Sequence, residues 1–204
     1  MIIENHKEEV PFSHYAAQFA AADPAEMAGR TGIPFENGTF AVTLLGREYH
    51  IAHPAANIVG ADDHIGPKIP LPLQTFLLRW LLEGKPAGWK GEWKTFREMP
   101  WGELYIQPYT GRVLTRAAYT FATRVEKFRA ACEKLGATPV NNGDAGFEFP
   151  FLGQHRMRIL VWAPDEEFPP SAQVLYTDNF ADSFAPEDRV VAGDLLIAHI
   201  KAAM

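Results

Sequence analysis

The residues with the most chemistry to offer are carboxylates, aromatics and one arginine. Asp165-Glu166-Glu167 follow the apolar run Ile159-Leu160-Val161-Trp162 and lie between Pro164 and Pro169-Pro170. Asp178 and Asp182 follow a second apolar run, Val174-Leu175-Tyr176. Carboxylates gathered this way can hold a hard cation, or keep one proton at a raised pKa for acid–base work. The same acids can serve only as a charged turn that keeps a strand edge soluble. Residues 88–98 interleave Trp89, Trp93 and Phe96 with Lys90, Lys94 and Arg97. That pattern can stack a planar ligand and hold an anion, and it can equally anchor a loop by its aromatic residues. Together these stretches define a candidate ligand-binding surface: Trp93, Arg97, Trp162, Asp165, Glu166, Glu167 and Asp178. The ligand expected there is an anionic or planar small molecule.

Other chemistries have less support. The sequence holds no G-x-G-x-x-G, G-x-x-x-x-G-K-[ST], G-x-S-x-G, H-E-x-x-H or C-x-x-C, so phosphate-cradling loops and cysteine-built zinc sites are not indicated. His50 and His53 are three apart in an expected strand, which sends them to opposite faces. His64 follows Asp62-Asp63, a set that could ligate a metal but reads more simply as a solvated turn. Cys132 lies on the apolar stripe of an expected helix and reads as a buried structural thiol. No catalytic residue, metal or cofactor is assigned.

The elements that must position the candidates follow from periodicity. Residues 12–22 read as a helix, and Asp23-Pro24-Ala25-Glu26 as the capped start of a second. Phe40, Val42 and Leu44, then Tyr49 and Ile51, alternate around Gly46 as a β-hairpin over 39–53. Residues 54–70 read as a loop. Leu73, Phe76, Leu77, Trp80 and Leu81 mark a helix over 71–83, stopped by Gly84 and Pro86. Residues 103–107 read as a strand, and 113–135 as helical with a break near Tyr119. Residues 147–151, 156–162 and 173–177 read as strands. A final helix starts at Pro186, with Val191, Leu195 and Ala198 on its buried face. This order predicts an α+β fold: a mainly antiparallel sheet with helices on one face, in a single domain over 1–204.

The totals bound the rest. The 204 residues are 47% hydrophobic, enough for a packed core without metal or disulfide. One cysteine allows no internal bridge and suits a reducing compartment. The N-terminus lacks a signal-peptide pattern, and no apolar run reaches membrane-spanning length, so the expected location is cytoplasmic. Residues 160–204 carry eight acids against two bases, while residues 79–134 carry eleven bases against six acids. The basic middle could meet an anionic ligand and the acidic end a cation or a basic protein partner, or the two could complement each other or solvent. A pI near 5.6 argues against nucleic acid as a partner.

Several segments resemble one family in order along nearly the whole chain. They are residues 40–49, the leucine-rich helix 75–82, Gly91-Glu92-Trp93-Lys94-Thr95-Phe96-Arg97-Glu98, residues 128–136, Val161-Trp162-Ala163-Pro164-Asp165-Glu166-Glu167-Phe168-Pro169, and Val174-Leu175-Tyr176. The sequence is similar to a bacterial and archaeal family known as domain of unknown function 3786. That family's pattern has Gly and Asp where this chain has Pro164 and Thr177. The resemblance implies a cytoplasmic protein of anaerobes, with relatives joined to iron–sulfur modules of the corrinoid and one-carbon kind. It supplies no catalytic residues, and this chain lacks the cysteines for such a cluster. The expected function is a non-catalytic small-molecule-binding or accessory module in anaerobic cofactor or one-carbon metabolism. The alternatives are a carboxylate-based hydrolase or lyase, with or without a metal, and a structural partner subunit. An enzyme requires Arg97 and at least two acids to converge.

Overall fold

A computed structural model describes residues 6–60 and 69–204 of the chain. These fall into two compact units, residues 1–86 and 87–204. Both combine antiparallel strands with helices, so the fold is α+β. The Asp62, Asp63 and His64 set lies outside the described residues.

The first unit starts with α1 (His6–Ala21) and α2 (Pro24–Thr31), where Asp23 accepts a hydrogen bond from the Ala25 amide. The hairpin then forms as β2 (Thr39–Leu44) and β3 (Arg47–Ala52), joined by Leu45 and Gly46 at positive φ. Positive φ at both turn positions matches the twist of a tight hairpin. Phe40, Val42, Leu44, Tyr49 and Ile51 are all buried, as their alternation requires. The stretch expected to be loop contains β4 (Asn57–Gly60) paired with β3, and a short β1 (Phe35–Glu36) pairs with β2. Pro and Gly punctuation masked β4, whose residues are mostly exposed and so carry no apolar period. Helix α3 (Leu71–Glu83) packs on α1. Arg30 donates to the carbonyls of Leu81 and Gly84 at 2.7 Å each, satisfying the C-terminal end of α3 with a cation where the helix dipole favours one.

The second unit is built on four strands in the order β7 (Ala145–Leu152), β8 (His155–Trp162), β9 (Ser171–Thr177), β5 (Trp93–Thr95), with β6 (Thr138–Pro139) beside β7. Every pairing is antiparallel. One sheet face carries Phe147, Phe149, Phe151, Met157, Ile159, Val161, Val174 and Tyr176, all buried. Helices cover that face. They are α5 (Arg116–Phe121), α6 (Val125–Lys134) and α8 (Pro186–Ala203), with Phe128 edge-on to Phe147 at 5.5 Å. The buried stripe of α8 is Val190, Gly193, Ile197 and Ile200 with Ala192 and Leu196. The expected Val191, Leu195 and Ala198 flank it, one position out of phase. Small residues set that phase, because a Cβ on Gly193 would stand 2.9 Å from Val113 and 3.1 Å from the Tyr176 hydroxyl.

Residues 103–107 are not a strand but lie in α4 (Gly102–Tyr109), followed by a π-helical turn over Thr110–Thr115. Five residues of mixed polarity satisfy either period, and two anchors decide for helix. Tyr109 stacks on Phe96 at 4.0 Å and 7°, and Tyr105 donates to Glu187 at 2.5 Å. Pro108 removes an amide from the ladder, which accounts for the wider turn that follows. The helical break falls at residues 122–124, a 3₁₀ turn, just past Tyr119.

Two glycines near α4 give opposite expectations. A Cβ on Gly102 would meet the Phe96 carbonyl at 2.1 Å, whereas nothing lies within 4 Å of one on Gly111. Gly102→Ala should cost about 2–3 kcal/mol through overpacking against backbone. Gly111→Ala should raise stability by about 0.5 kcal/mol through chain entropy. Urea unfolding of the two variants, with the slopes compared, checks both.

Candidate functional site

The second face of the β7–β8–β9–β5 sheet is polar. On β7 and β8 the residues opposite the core are Glu148, Pro150, Arg156, Arg158, Leu160 and Trp162. The register sets Glu148 directly across from Arg158 and Pro150 across from Arg156. Glu148 therefore lies between two guanidiniums. Arg156 Nε donates to Glu148 Oε1. Arg158 Nε donates to Glu148 Oε2 at 2.9 Å, and Nη2 is ion-paired with the same oxygen at 2.9 Å. The Glu148 side chain is 12% exposed, Arg158 27% and Arg156 36%. Taking a carboxylate this far out of water is costly unless both oxygens are hydrogen-bonded to cations, and here both are.

Trp93 completes the group. The Arg158 guanidinium carbon lies 4.0 Å from the Trp93 ring centroid. That cation–π contact contributes about 1 kcal/mol and fixes the plane of the guanidinium. Trp89 packs edge-on to Trp93 at 5.7 Å and 70°, and its Nε1 donates to the Glu92 carbonyl. Trp93 pairs with Thr177 across β5 and β9. The Thr177 hydroxyl in turn accepts from the Arg156 amide.

The seven sequence candidates do not share one site. Trp93 and Trp162 do lie on the same sheet face, but at opposite ends of β8 and β9. The span from Thr177, beside Trp93, to Ser171, beside Trp162, is about 20 Å at strand rise. Asp165, Glu166 and Glu167 lie beyond Trp162, at the far end of the β8–β9 hairpin, and are exposed. Asp165 Oδ1 accepts from the Glu167 and Phe168 amides, so it shapes its own turn. Arg97 is exposed and pairs with Glu103 at 3.3 Å. The composite of Trp93, Arg97 and the three acids is thus replaced by a smaller cluster of Trp93, Glu148, Arg156 and Arg158. Among the described residues no group of three or more His, Cys, Asp and Glu gathers as a metal-ligand set.

Asp178 has a different task. Its two carboxylate oxygens accept from the amides of Lys90 at 3.1 Å and Glu92 at 2.9 Å, and its own amide donates to the Glu92 carbonyl. Asn179 Nδ2 donates to the Ala87 carbonyl, and Lys90 pairs with Asp182 at 3.5 Å. These bonds strap residues 87–92 to the turn after β9 and so deliver Trp93 to the sheet. Asp178 positions the candidate site without entering it.

Tyr176, Tyr109, Cys132 and Asp194 are committed to structure. Tyr176 donates to the Arg189 carbonyl and contacts the Tyr109 hydroxyl at 3.2 Å, and burial pushes both phenols well up. Burial likewise pushes the Cys132 thiol up, which makes it inert. Burial raises Asp194, and Arg112 and Arg116 oppose that rise by pairing with it.

Sequence reasoning missed Glu148, Arg156 and Arg158. The signal was the charge alternation within two recognised strands: Phe147-Glu148-Phe149, and Arg156-Met157-Arg158-Ile159. The chain matches, over residues 23–199, the family model described as domain of unknown function (DUF3786), and it belongs to that family. No curated protein and no solved structure matches it.

The strap makes a pH-dependent prediction. Partial burial pushes the Asp178 carboxyl up, but the Lys90 and Glu92 amides and the Lys90 charge hold it below the ordinary carboxylate value. A depressed folded-state value adds stability above the unfolded pKa and loses it as the pH falls through the folded one. Asp178→Asn should cost about 1–2 kcal/mol near neutrality. The gap from wild type should narrow as the pH drops below ~4. Denaturant midpoints across that range test it, and a pH-independent gap would contradict the ionic origin.

Proposed function

We propose that this member of the family described as domain of unknown function (DUF3786) is a non-catalytic module that binds a small organic anion on the open face of its second unit. Arg156 and Arg158 carry the reading. They are half-buried, held in place by Glu148 and Trp93, and supplied with more donors than Glu148 can use. A guanidinium has five N–H groups in a fixed fork. Among the described residues, Glu148 is the sole carboxylate paired with either arginine. No hydrogen bond or ion pair among the described residues holds the terminal nitrogens of Arg156 or Nη1 of Arg158. Donors fixed in advance cost a ligand little ordering, which favours binding. Trp93 and Leu175 add apolar surface beside them for an organic body.

A binding role fits the rest of the unit better than a catalytic one. Its buried phenols, thiol and carboxylate are each paired or inert, and Arg97 converges with no second acid. The buried, unbridged Cys132 suits a protein of the reducing cytoplasm, where we place it.

The test is a titration of the ¹⁵N-labelled full chain with sodium benzoate at constant ionic strength. The Arg156 and Arg158 side-chain Nε–H signals should shift saturably. Arg156→Gln leaves the Arg158–Glu148 pair intact and should weaken binding about tenfold, as loss of a charged fork does. Shifts spread over unrelated surfaces, or an affinity that ignores Arg156, would sink the proposal.

A further inference from the structure

We infer that the sheet-face site takes singly charged carboxylates and turns away doubly charged oxyanions, with Glu148 as the residue that sets this choice. The inference rests on the binding role proposed above and deepens it by naming the ligand class.

The argument starts from charge. Two guanidiniums and one carboxylate leave a net charge of one positive unit on the cluster. A monoanion neutralises it. A dianion leaves an excess negative charge close to Glu148, which is only 12% exposed and so poorly screened by water. Specificity between anions then comes from a built-in repulsion and not from extra attraction.

Donor geometry agrees. Arg158 donates Nε to one Glu148 oxygen and holds Nη2 in ion-pair contact with the same oxygen. Arg156 spends Nε alone, which leaves the N–H groups of its two terminal nitrogens, a parallel pair, for a ligand. Such a pair fits the two coplanar oxygens of a carboxylate. The remaining Arg158 nitrogen can add one more bond to the same group. The plane of that guanidinium is set by Trp93 at 4.0 Å. A guanidinium fork serves phosphate oxygens as well, so the discrimination against a dianion rests on charge.

The experiment compares sodium benzoate with inorganic phosphate on the full-length chain, read from the Arg156 and Arg158 side-chain signals at matched ionic strength. Wild type should bind benzoate more tightly than phosphate dianion. Glu148→Gln raises the cluster by one positive charge and should shift the phosphate-to-benzoate affinity ratio about tenfold toward phosphate, or ~1.4 kcal/mol. A second arm needs no variant, in case the substitution unfolds the unit. On wild type, phosphate affinity should fall as rising pH converts it from monoanion to dianion, while benzoate, ionised throughout, holds steady. If phosphate dianion binds as well as benzoate, or Glu148→Gln changes the ratio by less than about twofold, the charge rule is overturned and the binding role survives. If neither anion moves the arginine signals, the binding role fails and takes the charge rule with it.

Discussion

Glu148 held between Arg156 and Arg158 is the interaction on which the polar face of the second unit depends. The opposite face is filled by phenylalanines and branched aliphatics under helices, so its burial drives formation of the sheet. The polar face has no such drive. A half-buried ion triad is weak evidence for stability, because an apolar set of similar size often serves as well or better. What the triad supplies is geometry. It pins two guanidiniums side by side, and Trp93 pins the plane of one of them. The loop of residues 87–92 and the carboxylate of Asp178 then exist in support of Trp93.

Much of the fold was legible in the residues. The hairpin of β2 and β3, the helix α3 and the strands β7, β8 and β9 each follow from one clean period of apolar side chains. The less regular parts were decided by contacts between distant residues, which no window along the sequence contains. Residues 103–107 are helical because Tyr105 reaches Glu187 and Tyr109 stacks on Phe96. Residues 93–95 form a strand because β9 offers an edge and Asp178 holds the approach. Strand β4 is exposed on most of its residues and has no hydrophobic signature to find.

The candidate site was legible only in part, for the same reason. Trp93 was recognisable as an aromatic between bases, and its partner was not, since Arg158 lies 65 residues away along the chain. Acids in a row drew attention to Asp165, Glu166 and Glu167, although a run of charge in a proline-bounded turn is what a solvated hairpin end needs. Asp178 was singled out as a ligand-binding carboxylate, and the structure gives its two oxygens a different task. The work is done on backbone amides, a role that spacing cannot distinguish from ligand binding.

Charge counting located stretches that partly pair with each other, but not the candidate cluster. Three bases of the stretch 79–134 meet two acids of the stretch 160–204 within the second unit: Arg112 and Arg116 pair with Asp194, and Lys90 pairs with Asp182. Those pairs satisfy the fold: Asp194 is largely buried and needs its two arginines, while the exposed Lys90–Asp182 pair adds little energy. The charged residues of the candidate cluster lie in residues 135–159, where the formal charges cancel. Cancellation along the sequence hides an excess in space, because Glu148 answers one arginine's charge while touching two. A net charge is a sum over residues, whereas recognition depends on the donors left over once the protein's own acceptors are used. On this sheet face the donors left over belong to Arg156 and Arg158.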